Sequence, residues 1–193
     1  MYLTQKHAYT ALRRINNMKT VQLKIFSFDE LSEKAQAKAL EKLHDLNIDH
    51  EWWDCIYSDA VETGLMINEF NLYPTYAKGK FLVSGKTVAQ EIKENHGTVC
   101  ETRKTAENYL TMLQELELYH ELKNTDPEYD FTDTREFENA LEDLDKDFLH
   151  ELLGDYAKIL EQEFEYRTSR ESIIETIQAN DYQFFENGGL YHG

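Results

Sequence analysis

The sequence predicts an α+β fold: a small antiparallel or mixed sheet covered by helices, with a long antiparallel helical hairpin. Three observations predict it. Apolar residues alternate near both ends of the chain. Two short strand-like runs flank a connection from Pro74 to Gly79. From about 99 to 167 the apolar residues recur at spacings of three and four, over a length that two long helices need.

In chain order, Val21, Leu23 and Ile25 alternate with Gln22 and Lys24, the period of a half-buried strand. Ser27 stands three residues before Glu30, a capping-box spacing, and Ser32 is a second candidate N-cap. The helix that follows puts Leu31, Ala35, Ala39, Leu43 and Leu46 on one stripe, with Lys34, Lys38 and Lys42 on the wet side. HEWWDCIYSDAVETG predicts a second helix with Trp52, Cys55, Ile56 and Ala60 inward and Gly64 as its stop. Residues 66–73 and 80–84 are the two strands of a hairpin. KTVAQEIKENH is a short helix ended by Gly97.

Val99, Ala106, Tyr109, Leu110, Leu113 and Leu116 mark the first arm of the helical hairpin. NTDPEYDFTDT is a polar link. Phe137, Leu141, Leu144, Phe148, Leu152, Tyr156, Ile159, Leu160 and Phe164 mark the second arm. Gly154 inside it suggests a kink or a close helix contact. Thr168 with Glu171 repeats the capping-box spacing and predicts a further helix to Ala179. Asn187-Gly188 is a type I′ turn signal between two short strands. The strand at 21–26 is expected to share a sheet with the one near 182–185, closing residues 18–193 into a single domain. Met18 opens MKTVQLKIFSF, a start followed at once by a strand. Residues 1–17 are therefore expected outside the domain, as a basic leader or as codons upstream of the true start.

Charge bounds the function. Residues 115–186 carry 22 Asp or Glu against six Lys or Arg, a net −16 of the chain's formal −17. The first 19 residues carry no acid. Such a field repels nucleic acid and anionic membranes and attracts basic partners. Cys55 and Cys100 are neither a disulfide framework nor a zinc set, which fits a reducing cytoplasm. No run approaches the roughly 20 apolar residues that span a bilayer.

Chemistry-bearing patterns are weak. Glu41–His44, Glu117–His120 and Asp147–His150 each put a carboxylate and an imidazole on one helix face, the unit from which di-iron bundles are built. Chance spacing in an acid-rich chain explains them better. Asp126, Glu128, Asp130 and Asp133 alternate as calcium loops do, without the sharp-turn Gly or the bidentate Glu. There is no nucleophile motif and no phosphate-cradling loop; His96 and Cys100 in HGTVC are one spacing, not a triad. No catalytic residue, metal or cofactor is assigned. The candidate partner-binding residues are the acids of the longest helix, Glu142, Asp143, Asp145, Asp147, Glu151 and Asp155, expected on its outward side. Trp52 and Trp53 join them, one expected in the core and the other partly exposed. A row of carboxylates can imitate the phosphates that Lys and Arg recognise.

FDELSEKAQAKALEKL at 28–43, NIDHEWWD at 47–54, CETRKTAENYL at 100–110 and EYRTSRESIIETIQANDYQF at 165–184 carry a resemblance. The chain from Met18 resembles a family of small acidic proteins encoded by phages and prophages of low-GC Gram-positive and gut bacteria. Many members have no assigned function or a loose antitoxin label, and the family is read as including an inhibitor of the type II CRISPR effector nuclease. The resemblance implies an anti-defence protein of the host cytoplasm that acts by binding a basic partner, a guide-RNA-loaded nuclease. It supplies no catalytic motif. Two alternatives stand beside it: an antitoxin-like protein neutralising a basic toxin, and a metal-dependent enzyme using the E/DxxH pairs.

Overall fold

The computed structural model describes residues 21–48, 50–123 and 135–192. The expectations for the leader 1–17 and for the acidic loop 126–133 lie outside the described residues. The elements are α1 (Glu33–Lys42), α2 (Asp54–Glu62), β1 (Leu65–Leu72), β2 (Thr75–Phe81), α3 (Gly85–Asn95), α4 (Glu101–Lys123), α5 (Arg135–Arg167) and α6 (Arg170–Ala179). The fold is α+β, with a two-stranded antiparallel sheet packed against helices. Among the described residues no helix is long and apolar enough to cross a membrane. The chain divides into two compact units. One takes the described residues up to Leu43 together with those from Ile174 onward; the other is His44–Ile173.

In the larger unit, β1 and β2 form the hairpin, joined by Tyr73-Pro74, whose peptide bond is cis. The second strand thus begins at Thr75, five residues earlier than the sequence suggests. Gly79 is a strand residue, not part of the connection. It stands opposite Ile67, beside an irregularity between Ile67 and Glu69. A Cβ at Gly79 would run into the Met66 carbonyl, so the close backbone approach there selects glycine. The sheet packs on α5, α2 packs on β1, α4 packs on α5 and α3 on α4. Leu65, Ile67, Val88, Ile92, Ala106, Tyr109, Leu113, Phe148, Leu152 and Tyr156 are buried between them. The long arms are antiparallel. Lys123 meets Glu136 near the link, while Thr105 meets Asp155 far from it.

Three residues expected on inward stripes face out, Ile159 of α5 at 37% exposure among them. Cys55 is exposed, because α2 starts at Asp54 and its buried stripe runs Ile56, Tyr57, Ala60. Val99 precedes α4 and is 81% exposed. Gly154 is neither crowded nor a close contact, since a Cβ there would meet nothing within 4 Å. The cap of α6 is Ser169, whose hydroxyl accepts from the Ser172 N–H, while Thr168 bonds back to the Phe164 carbonyl.

In the smaller unit the two caps form as predicted. The Ser27 N–H donates to Glu30 at 2.8 Å, which holds that carboxyl below the usual range, and Ser32 accepts from the Ala35 N–H. Residues 21–26 are not a strand. Only Phe26 pairs, with Phe184, through hydrogen bonds of 2.9 and 2.8 Å, and Val21, Leu23 and Ile25 are exposed. Phe184 takes Phe26 on one side and Leu190 on the other, so segments 21–26 and 182–190 meet in isolated bridges rather than in a sheet. The turn at Asn187-Gly188 is real but is not type I′. Gly188 alone has positive φ, at 78°, and the Gly188 N–H donates to Phe185. The turn therefore spans Phe185–Gly188 and ends on a left-handed glycine.

Candidate functional site

Helix α5 is 33 residues long, and its acids do not share one face. Successive residues turn by about 100°. Asp143, Asp147 and Glu151 are four apart and all exposed. Asp155 continues the same row, but the row drifts around the axis with each step, and at Asp155 it has turned into the protein. Asp155 is 8% exposed and accepts from the Thr105 hydroxyl at 2.6 Å. Asp145 lies off the row and is half-buried, accepting from the Tyr109 hydroxyl at 2.5 Å. The expectation that all six acids point outward is therefore corrected for Asp145 and Asp155: helical phase places them against α4, where hydroxyls satisfy them.

The remaining acids differ in how far they are neutralised. Lys146 reaches Glu142 at 2.8 Å and Asp143 at 3.5 Å. The bond to Lys146 holds the Glu142 carboxyl below its usual range. Asp147 and Glu151 make no ion pair among the described residues. Phase thus sorts six like residues into two structural acids, two sharing one lysine, and two whose charge is open to a partner.

Tyr109 answers Asp145 of α5, and Tyr156 answers Asp59 of α2. Tyr109 stacks on Phe148 at 4.2 Å, and Tyr156, fully buried, donates to Asp59 at 2.8 Å. Burial first, and then the carboxylate partner, pushes both phenols well above their ordinary range.

Trp52 and Trp53 precede α2. Trp52 is buried and Trp53 half-buried, as expected, although they lie ahead of the helix rather than on it. Both pack edge-on to Phe70, at 5.7 and 5.5 Å, and Trp52 also meets Phe164. These rings tie the start of α2 to β1 and α5. Only Trp53 offers part of its surface to a partner.

The E/DxxH pairs do not converge. His44 bonds Asp45, Glu117 bonds Lys86, and His120 lies against Phe137. Among the described residues no three His, Cys, Asp or Glu side chains come together as metal ligands.

One constellation was not assembled from the sequence. A cleft of about 450 Å³ is lined by Asp59, His96, Cys100, Glu101, Thr102, Asp155, Lys158 and Ile159, among others. The His96 side chain is only 10% exposed; its Nδ1 and the Thr102 hydroxyl share a hydrogen bond of 2.8 Å. Its Nε2 is buried without a hydrogen-bond partner and stands 3.5 Å from Asp59 Oδ1. HGTVC brought His96 and Cys100 to notice, but Asp59 and Asp155 are far away in sequence, and no local spacing could join them.

No protein-family model, no curated protein and no solved structure matches this chain.

Proposed function

We propose that this protein acts by binding: the solvent face of α5 docks on a basic, nucleic-acid-handling partner, with a guide-RNA-loaded type II CRISPR nuclease as the target. The observation that carries the reading is the exposed row Asp143, Asp147, Glu151, whose last two members have no neutralising partner among the described residues. It lies in the segment that holds −16 of the formal charge. Such a nuclease holds its nucleic acids in a strongly positive channel. Opposite charge speeds encounter and makes it salt-sensitive. The phage-family resemblance of residues 18–191 supports the same choice of target.

The test uses the variant Asp143→Gln, Asp147→Gln, Glu151→Gln, which spares Asp145 and Asp155 because they hold α4. Wild type is expected to inhibit target-DNA cleavage, more strongly at low salt than at high. The variant, equally folded by circular dichroism, is expected to associate more slowly and inhibit less. No inhibition by the wild type would remove the nuclease as target. Equal inhibition by wild type and variant would remove the α5 face as the site. Capture of a small basic toxin from host lysate, with no effect on the nuclease, would establish the antitoxin-like alternative.

A further inference from the structure

We propose that residues 21–25 form a β-ribbon between molecules: the segment pairs antiparallel with the same segment of a second copy of this chain, about a two-fold axis at Leu23. Alternating Val21, Leu23 and Ile25 is the pattern of a strand that buries one face, yet in the single chain that face is bare. Val21 is 72% exposed and Leu23 57%. Among the described residues the backbone of Val21–Ile25 makes no hydrogen bond. Pairing starts at Phe26, whose N–H and C=O both go to Phe184. Extended backward from there, the chain turns the backbone groups of Ile25, Leu23 and Val21 to the opposite edge, away from residues 182–190. An unpaired edge with alternating apolar side chains and no proline or glycine is a template for strand addition.

The sequence of the edge selects the occupant and the register. Centred on Leu23, an antiparallel pair sets Leu23 against the partner's Leu23, Val21 against the partner's Ile25 and Gln22 against the partner's Lys24. Every apolar residue then meets an apolar one on a single face. The residues that exchange hydrogen bonds are those whose backbone groups point to the open edge. A slip by one residue would set Leu23 against the partner's Lys24 or Gln22 and mix the faces. Centring on Lys24 would set lysine against lysine, and centring on Gln22 would leave Ile25 outside the apolar pairs. Charge does not oppose the contact. Residues 1–43 and 174–193 hold eight Lys or Arg against seven Asp or Glu, so the chain's negative charge lies on the other unit. Ile25 also lines, with Phe28, Ile177 and Tyr182, a groove of about 690 Å³ that can receive the partner's Val21. The pairing closes on itself, because the other edge of each strand is held at Phe184. The inference concerns the smaller unit and does not need the α5 face to bind anything.

The experiment is sedimentation equilibrium of the full chain from micromolar to millimolar concentration, where a monomer–dimer equilibrium is expected. Leu23→Lys and Leu23→Glu each place like charges at the two-fold axis, and each should raise the dimer dissociation constant roughly tenfold or more. An equimolar mixture of the two variants should dimerise again, because the axis then holds opposite charges. That rescue shows at once that both variants are folded. Since Leu23 is exposed in the single chain, dilute samples of either should also melt like wild type. A chain that stays monomeric throughout overturns the inference and leaves the edge to a strand of another protein. A dimer that Leu23→Lys leaves as tight as wild type overturns it too, as does a defect in the single variants that their mixture does not repair.

Discussion

Asp145 and Asp147 stand two residues apart on the same helix with the same side chain. One is half-buried and accepts from the Tyr109 hydroxyl; the other is exposed and has no ion pair among the described residues. Along the row the same contrast separates Asp155, closed over by Thr105, from Glu151 one turn earlier. An acidic helix is therefore not one electrostatic object. Its inward acids fix how two long helices lie against each other. Its outward acids leave a field in solvent, where a partner can use it.

The sharpest way to break this distinction is to remove the group that makes Asp145 structural. Tyr109→Ala deletes a buried ring stacked on Phe148 as well as the hydrogen bond, and about 3–5 kcal/mol of stability should be lost in urea unfolding. A loss under 1 kcal/mol would show that α4 and α5 do not depend on this contact.

Asp145→Ala should cost about 1–3 kcal/mol, because it leaves the Tyr109 hydroxyl without its acceptor. Asp147→Ala should stay within about 0.5 kcal/mol. Equal effects of the two substitutions would erase the difference between the inner and outer acids.

Alkali tests the same bonds from the phenol side. The Tyr109 and Tyr156 pKa values are raised in the folded protein. The protonated phenols therefore contribute stability that is fully present below the unfolded tyrosine value of about 10 and is lost as pH rises above it. Tyrosinate absorbance should show phenols that ionise only with unfolding, and Tyr109→Phe should reduce their number by one. Ionisation of every tyrosine near pH 10 with the fold intact would contradict both buried bonds.

The smallest effect is expected at Gly154. It lies inside α5, with open space where a Cβ would stand. Gly154→Ala should stabilise by up to about 1 kcal/mol. Destabilisation would mean that the glycine serves a bend in α5.

Much of the fold could be read in advance because its signals are local. The Ser27/Glu30 box and the Ser32 cap need only neighbours three residues away. The stripes of α4 and α5 need only a helical period, and both helices formed. The first strand failed for a complementary reason. Alternation of Val21, Leu23 and Ile25 shows that a strand could bury one face, but burial needs a partner edge, and the 182–190 segment pairs with it only at Phe26. Gly79 misled because the sequence shows a turn former, while the register opposite Ile67 makes the same residue a strand position.

The candidate site divides along the same line. By itself the sequence determined that charge would gather in the C-terminal half and that α5 would be long. Both follow from composition and from the helical period. Only the tertiary structure decided which carboxylates stay in solvent and which are held by Tyr109, Thr105 and Tyr156. Only it brought Asp59, His96 and Asp155 to one cleft. The physical reason is that the pairing of α4 with α5 and the seating of α2 and α3 beside them depend on packing between distant segments. Whether a given acid meets water or a hydroxyl is settled by its helical phase relative to a neighbour that no local spacing encodes.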